Sequence, residues 1–250
     1  LASRQLIRNL TVKELKVRYK RSALGFLWSL LNPLLMMGVF TLVFRYAFRV
    51  PIEDFHLFFL VGYLPWAFFQ ASVNVATGSI VANANLVTKV YFPREVLPIS
   101  VILSQLVHFA LAMALLLVIL PFLGYFYFPY LGGFLIAVVL LVLFTTGLSM
   151  FFAAANTTFR DIAEFSPVLF LLWFYLTPVI YSLDLLPTRI ASIIALNPMT
   201  HFMRLFRDSL YTLQHPEPAT LLIAAGWAGA SLLFGSWIFA RRAADFAKEI

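Results

Sequence analysis

The sequence predicts an all-α polytopic membrane protein, and three observations carry that prediction. Six long apolar runs fill most of the chain, the overall composition is too apolar for water, and nearly every charge sits between the runs. A hydrocarbon layer of about 30 Å takes roughly 20 helical residues to cross. Runs of that order recur at 26–47, 57–81, 97–123, 131–156, 166–182 and 219–240. Hydrophobic residues make up 62% of the 250, charged residues 12%, and the mean hydropathy is +0.91. A soluble domain of that composition would expose far too much apolar surface. A single membrane domain is expected over 1–250, with a surface segment at 1–25 and a polar tail at 241–250.

The first run is expected to be a true span, because seven basic side chains precede it and no small-residue cleavage site follows. The chain has no cysteine, so neither a disulfide framework nor a thiolate metal site is expected. The net charge of +7 could suggest nucleic acid, but the basic residues flank apolar spans instead. Thirteen Lys and Arg fall in 1–25, 82–96, 157–165 and the tail; five (Arg45, Arg49, Arg189, Arg204, Arg207) fall in the alternate connections. That bias predicts six spans with both termini cytoplasmic.

Within 1–25, Thr11 and Glu14 match a capping box and predict a short helix starting near Val12. Val12, Leu15 and Tyr19 would share one face, beside Lys13, Lys16 and Lys20. Such a helix suits the headgroup region, apolar side down. The plainer reading is a basic flank that only orients the chain. The connection at 82–96 holds Pro93, which ends or bends any helix before it. Tyr125–Tyr130 suits an interfacial aromatic belt, and 157–165 reads as a polar loop. The fifth run is short and carries Pro167 and Pro178. Residues 183–218 are not simply hydrophilic: Phe202, Leu205, Phe206 and Leu210 recur at helical spacing beside Arg204, Arg207 and Asp208. Two short amphipathic or re-entrant helices fit that stretch, since irregular backbone at depth must be buried in protein.

The spans hold almost no ionisable groups. Arg45 lies at a span end, and His108 lies on a Ser100–Ser104–His108 stripe suited to interhelical hydrogen bonding. Ion-coupled pumps need charged side chains at mid-membrane, so a self-powered transporter is disfavoured. Gly147-Leu148-Ser149-Met150 has a serine-protease flavour, but 219–240 supplies no histidine base, and small residues there fit helix packing. There is no phosphate-binding loop, so the chain itself should bind neither ATP nor Mg²⁺, and no spaced metal set. No bond-making site is expected.

Uncharged polar and aromatic side chains are more suggestive. Tyr63, Trp66, Gln70, Asn74 and Thr77 share a face of the second span; Trp173, Thr177 and Tyr181 follow at i+4 in the fifth; Phe26, Pro33 and Phe40 align in the first. Flat rings mixed with hydroxyls and amides suit a path for sugar. They equally suit packing and interfacial anchoring.

The junction Lys13-Glu14-Leu15-Lys16-Val17-Arg18-Tyr19-Lys20-Arg21-Ser22-Ala23-Leu24-Gly25-Phe26-Leu27-Trp28-Ser29-Leu30-Leu31-Asn32-Pro33-Leu34 closely resembles the start of ABC-2 type permeases that export O-antigen, capsule or teichoic acid polysaccharides. Asn85-Leu86-Val87-Thr88-Lys89-Val90-Tyr91-Phe92-Pro93-Arg94-Glu95-Val96-Leu97-Pro98 is a second match, and Asn197-Pro198 a third, weaker one. The resemblance implies the ABC-2 (type V exporter) fold and a half-transporter in a bacterial inner membrane. Two copies would form the pore above two copies of a separate ATPase that holds ATP and Mg²⁺.

The resemblance further implies roles for particular residues. Lys16, Arg18, Tyr19 and Lys20 would stand at the cytoplasmic mouth, facing the pyrophosphate of a polyprenyl-linked glycan. Asn85, Lys89, Tyr91, Phe92, Arg94 and Glu95 would form the ATPase-coupling or gate segment. Asn197, Pro198, Phe202 and Phe206 would belong to an outer gate within 183–218. O-antigen is the leading cargo; another glycan, or a drug or lipid, is the alternative within the family. An enzyme acting on lipid-linked sugars is the alternative outside it, with only Asp161 and Glu164 as candidate acids.

Overall fold

The computed structural model describes residues 2–19 and 25–249, without the side chains of 2, 3, 17–19, 26, 247 and 248. Among the described residues the regular structure is helical. Helices α1 (Ala2–Tyr19), α2 (Trp28–Phe40, continuing as a π-helix over Thr41–Ala47), α3 (Phe55–Thr77), α4 (Ser79–Ala82), α5 (Ala84–Lys89) and α6 (Val96–Ile119) come first. They are followed by α7 (Leu131–Thr158), α8 (Asp161–Tyr175), α9 (Thr188–Ile194), α10 (Pro198–Leu210), α11 (Pro218–Arg242) and α12 (Phe246–Glu249).

Among the described residues, five segments are long and apolar enough to cross a bilayer: Trp28–Ala47, Phe55–Thr77, Val96–Leu123, Phe128–Thr158 and Pro218–Arg242. The expected fifth run behaves differently. Its helix, α8, starts at Asp161 rather than near 166 and stops at Tyr175. Fifteen residues rise only about 22 Å, short of a hydrocarbon layer. The early start follows from Asp161 and Glu164, whose charges favour the first turn of a helix, and from Asn156 Oδ1, which accepts from the Ala163 amide at 3.0 Å. Pro178, with no amide hydrogen, closes off continuation into 176–182.

The N-terminal expectation also needs correcting. No helix begins at Val12; α1 already runs from Ala2, and Thr11 lies inside it. The Thr11 hydroxyl donates instead to the Ser100 carbonyl at 3.4 Å, tying α1 to the start of α6. The stretch 183–217 does hold two helices, the exposed α9 and the deeply buried α10.

Helix α3 is the hub. Of its membrane-length window 67% is buried, against 0% for the first. Phe55, Phe59, Trp66 and Phe69 of α3 are fully enclosed, meeting Phe170 of α8 and Phe202 and Phe206 of α10 in one core. Helices α7 and α11 approach closest, because each carries glycine at the crossing. A Cβ on Gly235 would overlap the Gly147 carbonyl, and one on Gly147 would overlap the Ser231 backbone. Ser231 adds a hydrogen bond across the seam, its Oγ donating to the Phe144 carbonyl at 2.8 Å. Gly147 is therefore a packing residue, as helix association among apolar surfaces requires.

Both termini sit at the same end of the bundle. Lys13 Nζ donates to Asn83 Oδ1 at 3.3 Å, while Glu249 accepts from Thr157 and Thr158 at 3.2 and 2.9 Å. A second, smaller core there joins Ile80, Val87, Leu97, Met150, Phe239 and Phe246. At the opposite end Tyr125 donates to Asp54 at 2.8 Å and Tyr211 to the Glu53 carbonyl, closing α10 over the connections.

Candidate functional site

The segment expected to couple to a partner lies at the end that holds both termini. Val87 and Phe92 anchor it to the smaller core. Asn85 and Lys89 are exposed, Tyr91 is fully exposed at 104%, and Arg94 and Glu95 are half-buried. Asn83 fixes the turn before α5 by donating through Nδ2 to the Ser79 carbonyl at 2.8 Å. Among the described residues no ion pair involves Lys89 or Arg94. Lys16 is exposed on α1 nearby; Lys20 and the side chains of Arg18, Tyr19 and Phe26 lie outside the described residues.

Asn197 gathers several of the other candidates. Its Oδ1 accepts from Trp173 Nε1 at 2.8 Å and from the Met199 amide at 3.0 Å, capping α10. Its Nδ2 donates to Thr177 Oγ1 at 2.9 Å and to the Leu176 carbonyl at 3.1 Å. Thr177 in turn donates to the Trp173 carbonyl at 2.8 Å. One amide thus ties the end of α8 to the start of α10, with Pro198 as the first residue of α10. Tyr181 stands apart, donating to the Tyr175 carbonyl at 3.3 Å. Phe202 and Phe206 are wholly buried, against Phe144 at 5.0 Å and Phe134 at 5.9 Å. Phe40 stacks on Phe59 at 4.8 Å, which stacks on Tyr63 at 5.0 Å.

Tyr63, Gln70 and Asn74 come together elsewhere. They line a cavity of about 450 Å³ between α2, α3 and α6, with Asn32 and His108 opposite. Trp66 is buried behind them and donates through Nε1 to Gln70 Oε1 at 3.0 Å. The Ser100–Ser104–His108 stripe is buried, with Ser100 Oγ donating to the Leu97 carbonyl at 2.8 Å.

A feature the sequence reading passed over is Arg207 on α10. It is only 9% exposed, and it lines a chamber of about 510 Å³ at the end opposite the termini. Its Nη2 donates to the Val179 carbonyl at 2.8 Å, and its guanidinium carbon lies 3.5 Å from the Phe58 ring centroid. Gly62 leaves the room, since a Cβ there would stand 3.0 Å from Nη2. Burial pulls the guanidinium down to about 9, which still leaves it charged at neutral pH. Asp208 beside it is also buried, its carboxyl pushed up by desolvation while Gln214 donates to it at 2.9 Å. The available signal was position: on a helix Arg207 falls at the edge of the apolar face made by Phe202, Leu205, Phe206 and Leu210.

Several helices long and apolar enough to cross a bilayer, with a polar cavity between α2, α3 and α6, mark a multi-pass membrane protein. The chain belongs to the ABC-2 type transporter family, whose profile it matches over residues 5–211. It is 37% identical over 249 residues to the O-antigen export system permease protein RfbA of Myxococcus xanthus, covering 99% of this chain and 96% of that one. A Klebsiella pneumoniae RfbA is 35% identical over 200 residues, 80% of this chain and 77% of that one. The polysialic acid transport protein KpsM of Escherichia coli is 24% identical over 242 residues, 93% and 92%.

Proposed function

We propose that this chain is the membrane permease subunit of an ATP-driven polysaccharide exporter, with O-antigen as its cargo. The observation that carries the reading is the near-complete alignment with an O-antigen permease, at higher identity than with the polysialic acid transporter. Spans with no buried Lys, Arg, Asp or Glu among the described residues, and with amides and aromatic rings along them, suit a polymer held by many weak contacts.

In this reading residues 161–182 make the fifth of six crossings, with α8 as its helical part and 176–182 as a turn held against α10. Both termini then face the cytoplasm, in keeping with the basic bias of their end. Helix α1 lies in the headgroup region, and α9 and α10 re-enter from the outer side. Two copies close into a two-fold pore, and two copies of a separate ATPase, which holds ATP and Mg²⁺, dock beneath. Lys16 with Arg18, Tyr19 and Lys20 draws the pyrophosphate of a polyprenyl-linked glycan. Asn85, Lys89, Tyr91, Phe92, Arg94 and Glu95 pass on the motion of the ATPase. The polymer runs along Phe26, Phe40, Trp173 and Tyr181, and the Asn197–Pro198 corner with Phe202 and Phe206 sets the outer gate. Tyr63, Trp66, Gln70, Asn74 and Thr177 belong to the same wall.

The test is the Lys89→Ala, Arg94→Ala double variant in cells that lack the native gene. Surface polysaccharide should be lost while the protein inserts at normal levels and its unfolding midpoint is unchanged. Normal surface polysaccharide in that strain removes the segment from the mechanism. Failure of the wild-type gene to restore any surface polysaccharide removes the function.

A further inference from the structure

The cavity behind Tyr63 continues into a second one. Pro33, Leu64 and Ala112 line both, so the two form one groove between α2, α3 and α6. The first compartment, of about 450 Å³, is polar, with Asn32, Gln70, Asn74, Gln105 and His108 on its walls. The second, of about 140 Å³, is apolar, walled by Leu34, Met37, Leu60, Leu116 and Ile119, with His56 at its far end. Among the described residues no Lys, Arg, Asp or Glu lines either compartment.

The polar walls are set for hydroxyl groups. An indole N–H can only donate, so the Trp66 bond at 3.0 Å fixes Gln70 Oε1 as the acceptor and leaves the Gln70 amide nitrogen as a donor for the cavity. One turn further on, Asn74 Oδ1 is buried and accepts no hydrogen bond among the described residues. A donor and an acceptor therefore stand four residues apart on one face of α3, where side chains are neighbours. A hydroxyl, which both donates and accepts, satisfies such a pair; a buried acceptor without a donor costs free energy.

We propose that this groove binds an amphiphile with an uncharged, hydroxyl-bearing head and a single aliphatic chain, held as a resident lipid. The head sits against Gln70 and Asn74, and the chain runs past Leu64 into the apolar compartment. Among the described lining residues no Lys or Arg offers a phosphate a partner, so these walls favour an uncharged head. A pyrophosphate-linked carrier would place its charges where Pro33, Leu64 and Ala112 line the junction, and those side chains offer no donor. The resident lipid is therefore distinct from the exported cargo.

The test uses the full-length protein in bilayer discs and two photoreactive probes with the same diazirine-bearing decyl chain. One is a β-D-glucoside, the other a phosphocholine. The glucoside should label peptides of the groove walls, and unlabelled decyl glucoside should compete. Gln70→Leu or Asn74→Leu should lower that labelling about fivefold, the effect of one lost hydrogen bond. The comparison of the two heads on the wild-type protein needs no substitution, so it decides the matter even where a variant unfolds. Equal labelling by both probes, or labelling that maps away from the groove, overturns the proposal. Export is not read in this assay, so its outcome is independent of the function proposed above.

Discussion

Arg207 donates to the carbonyl of Val179 at 2.8 Å across 28 residues of sequence, and in doing so holds α10 to the turn that follows α8. The same guanidinium covers the Phe58 ring, so three segments converge on one cation. Arg207→Ala should lower stability by about 2–4 kcal/mol, since the carbonyl loses its donor and the ring its cover. Arg207→Lys should recover only part of this, because an ammonium lacks the planar fork that bonds and stacks together. Chemical or thermal unfolding of the purified variants measures both.

Asp208 predicts a pH dependence of known sign. Desolvation raises its carboxyl above the ordinary 3.8, so the folded protein binds this proton more tightly than the unfolded chain does. Stability contributed by Asp208 is then greatest at acid pH and falls as pH rises through the window that opens at 3.8. Asp208→Asn should raise the unfolding midpoint at pH 7, with Gln214 still able to donate to the new amide oxygen. The gain should shrink as the buffer is acidified. A variant less stable than wild type at pH 7 contradicts the sign.

The α7–α11 crossing leaves no room for a side chain. Gly235→Leu should cost more than about 3 kcal/mol or abolish folding, because the new atoms meet backbone that cannot step aside. Gly226→Ala and Gly229→Ala on the same helix meet nothing within 4 Å, and they should be neutral or stabilising by up to about 1 kcal/mol. Insertion levels and unfolding midpoints of the three variants, compared side by side, check the contrast.

Asn197 makes four hydrogen bonds, and Trp173 supplies one of them. Asn197→Ala should therefore destabilise by about 2–3 kcal/mol and Trp173→Phe by about 1 kcal/mol. The double variant should cost less than the sum of the two, with a coupling of at least about 0.5 kcal/mol. A strictly additive cycle would show that the indole and the amide do not act together.

Helix placement was legible where apolar length alone decides it. The run at 57–81 corresponds to α3 at Phe55–Thr77, and that at 219–240 to α11 at Pro218–Arg242. It was less legible where end chemistry decides: Asp161 and Glu164 looked like loop residues, yet they open α8, and apolarity up to Tyr181 does not carry a helix past Pro178. Thr11 fitted a capping box, but its hydroxyl is taken by the distant Ser100. Arg207 was hidden for the same reason, since Phe58 and Val179 become its neighbours only after folding. Of the candidate residues, periodicity grouped Trp173 with Thr177 and Gln70 with Asn74. The sequence had no means of adding Asn197 to the first pair through its side chain.

The glycine seam between α7 and α11 contrasts with the first span, which rests on the core along one row: Leu30, Met37, Phe40 and Phe44. Where two backbones touch, sliding is blocked by steric overlap with the main chain, whereas a single row of side chains can slip or tilt and reseat. Mechanical work delivered to this molecule thus meets a stiff spine on one flank and a hinged leaf on the other, and displacement concentrates in the leaf.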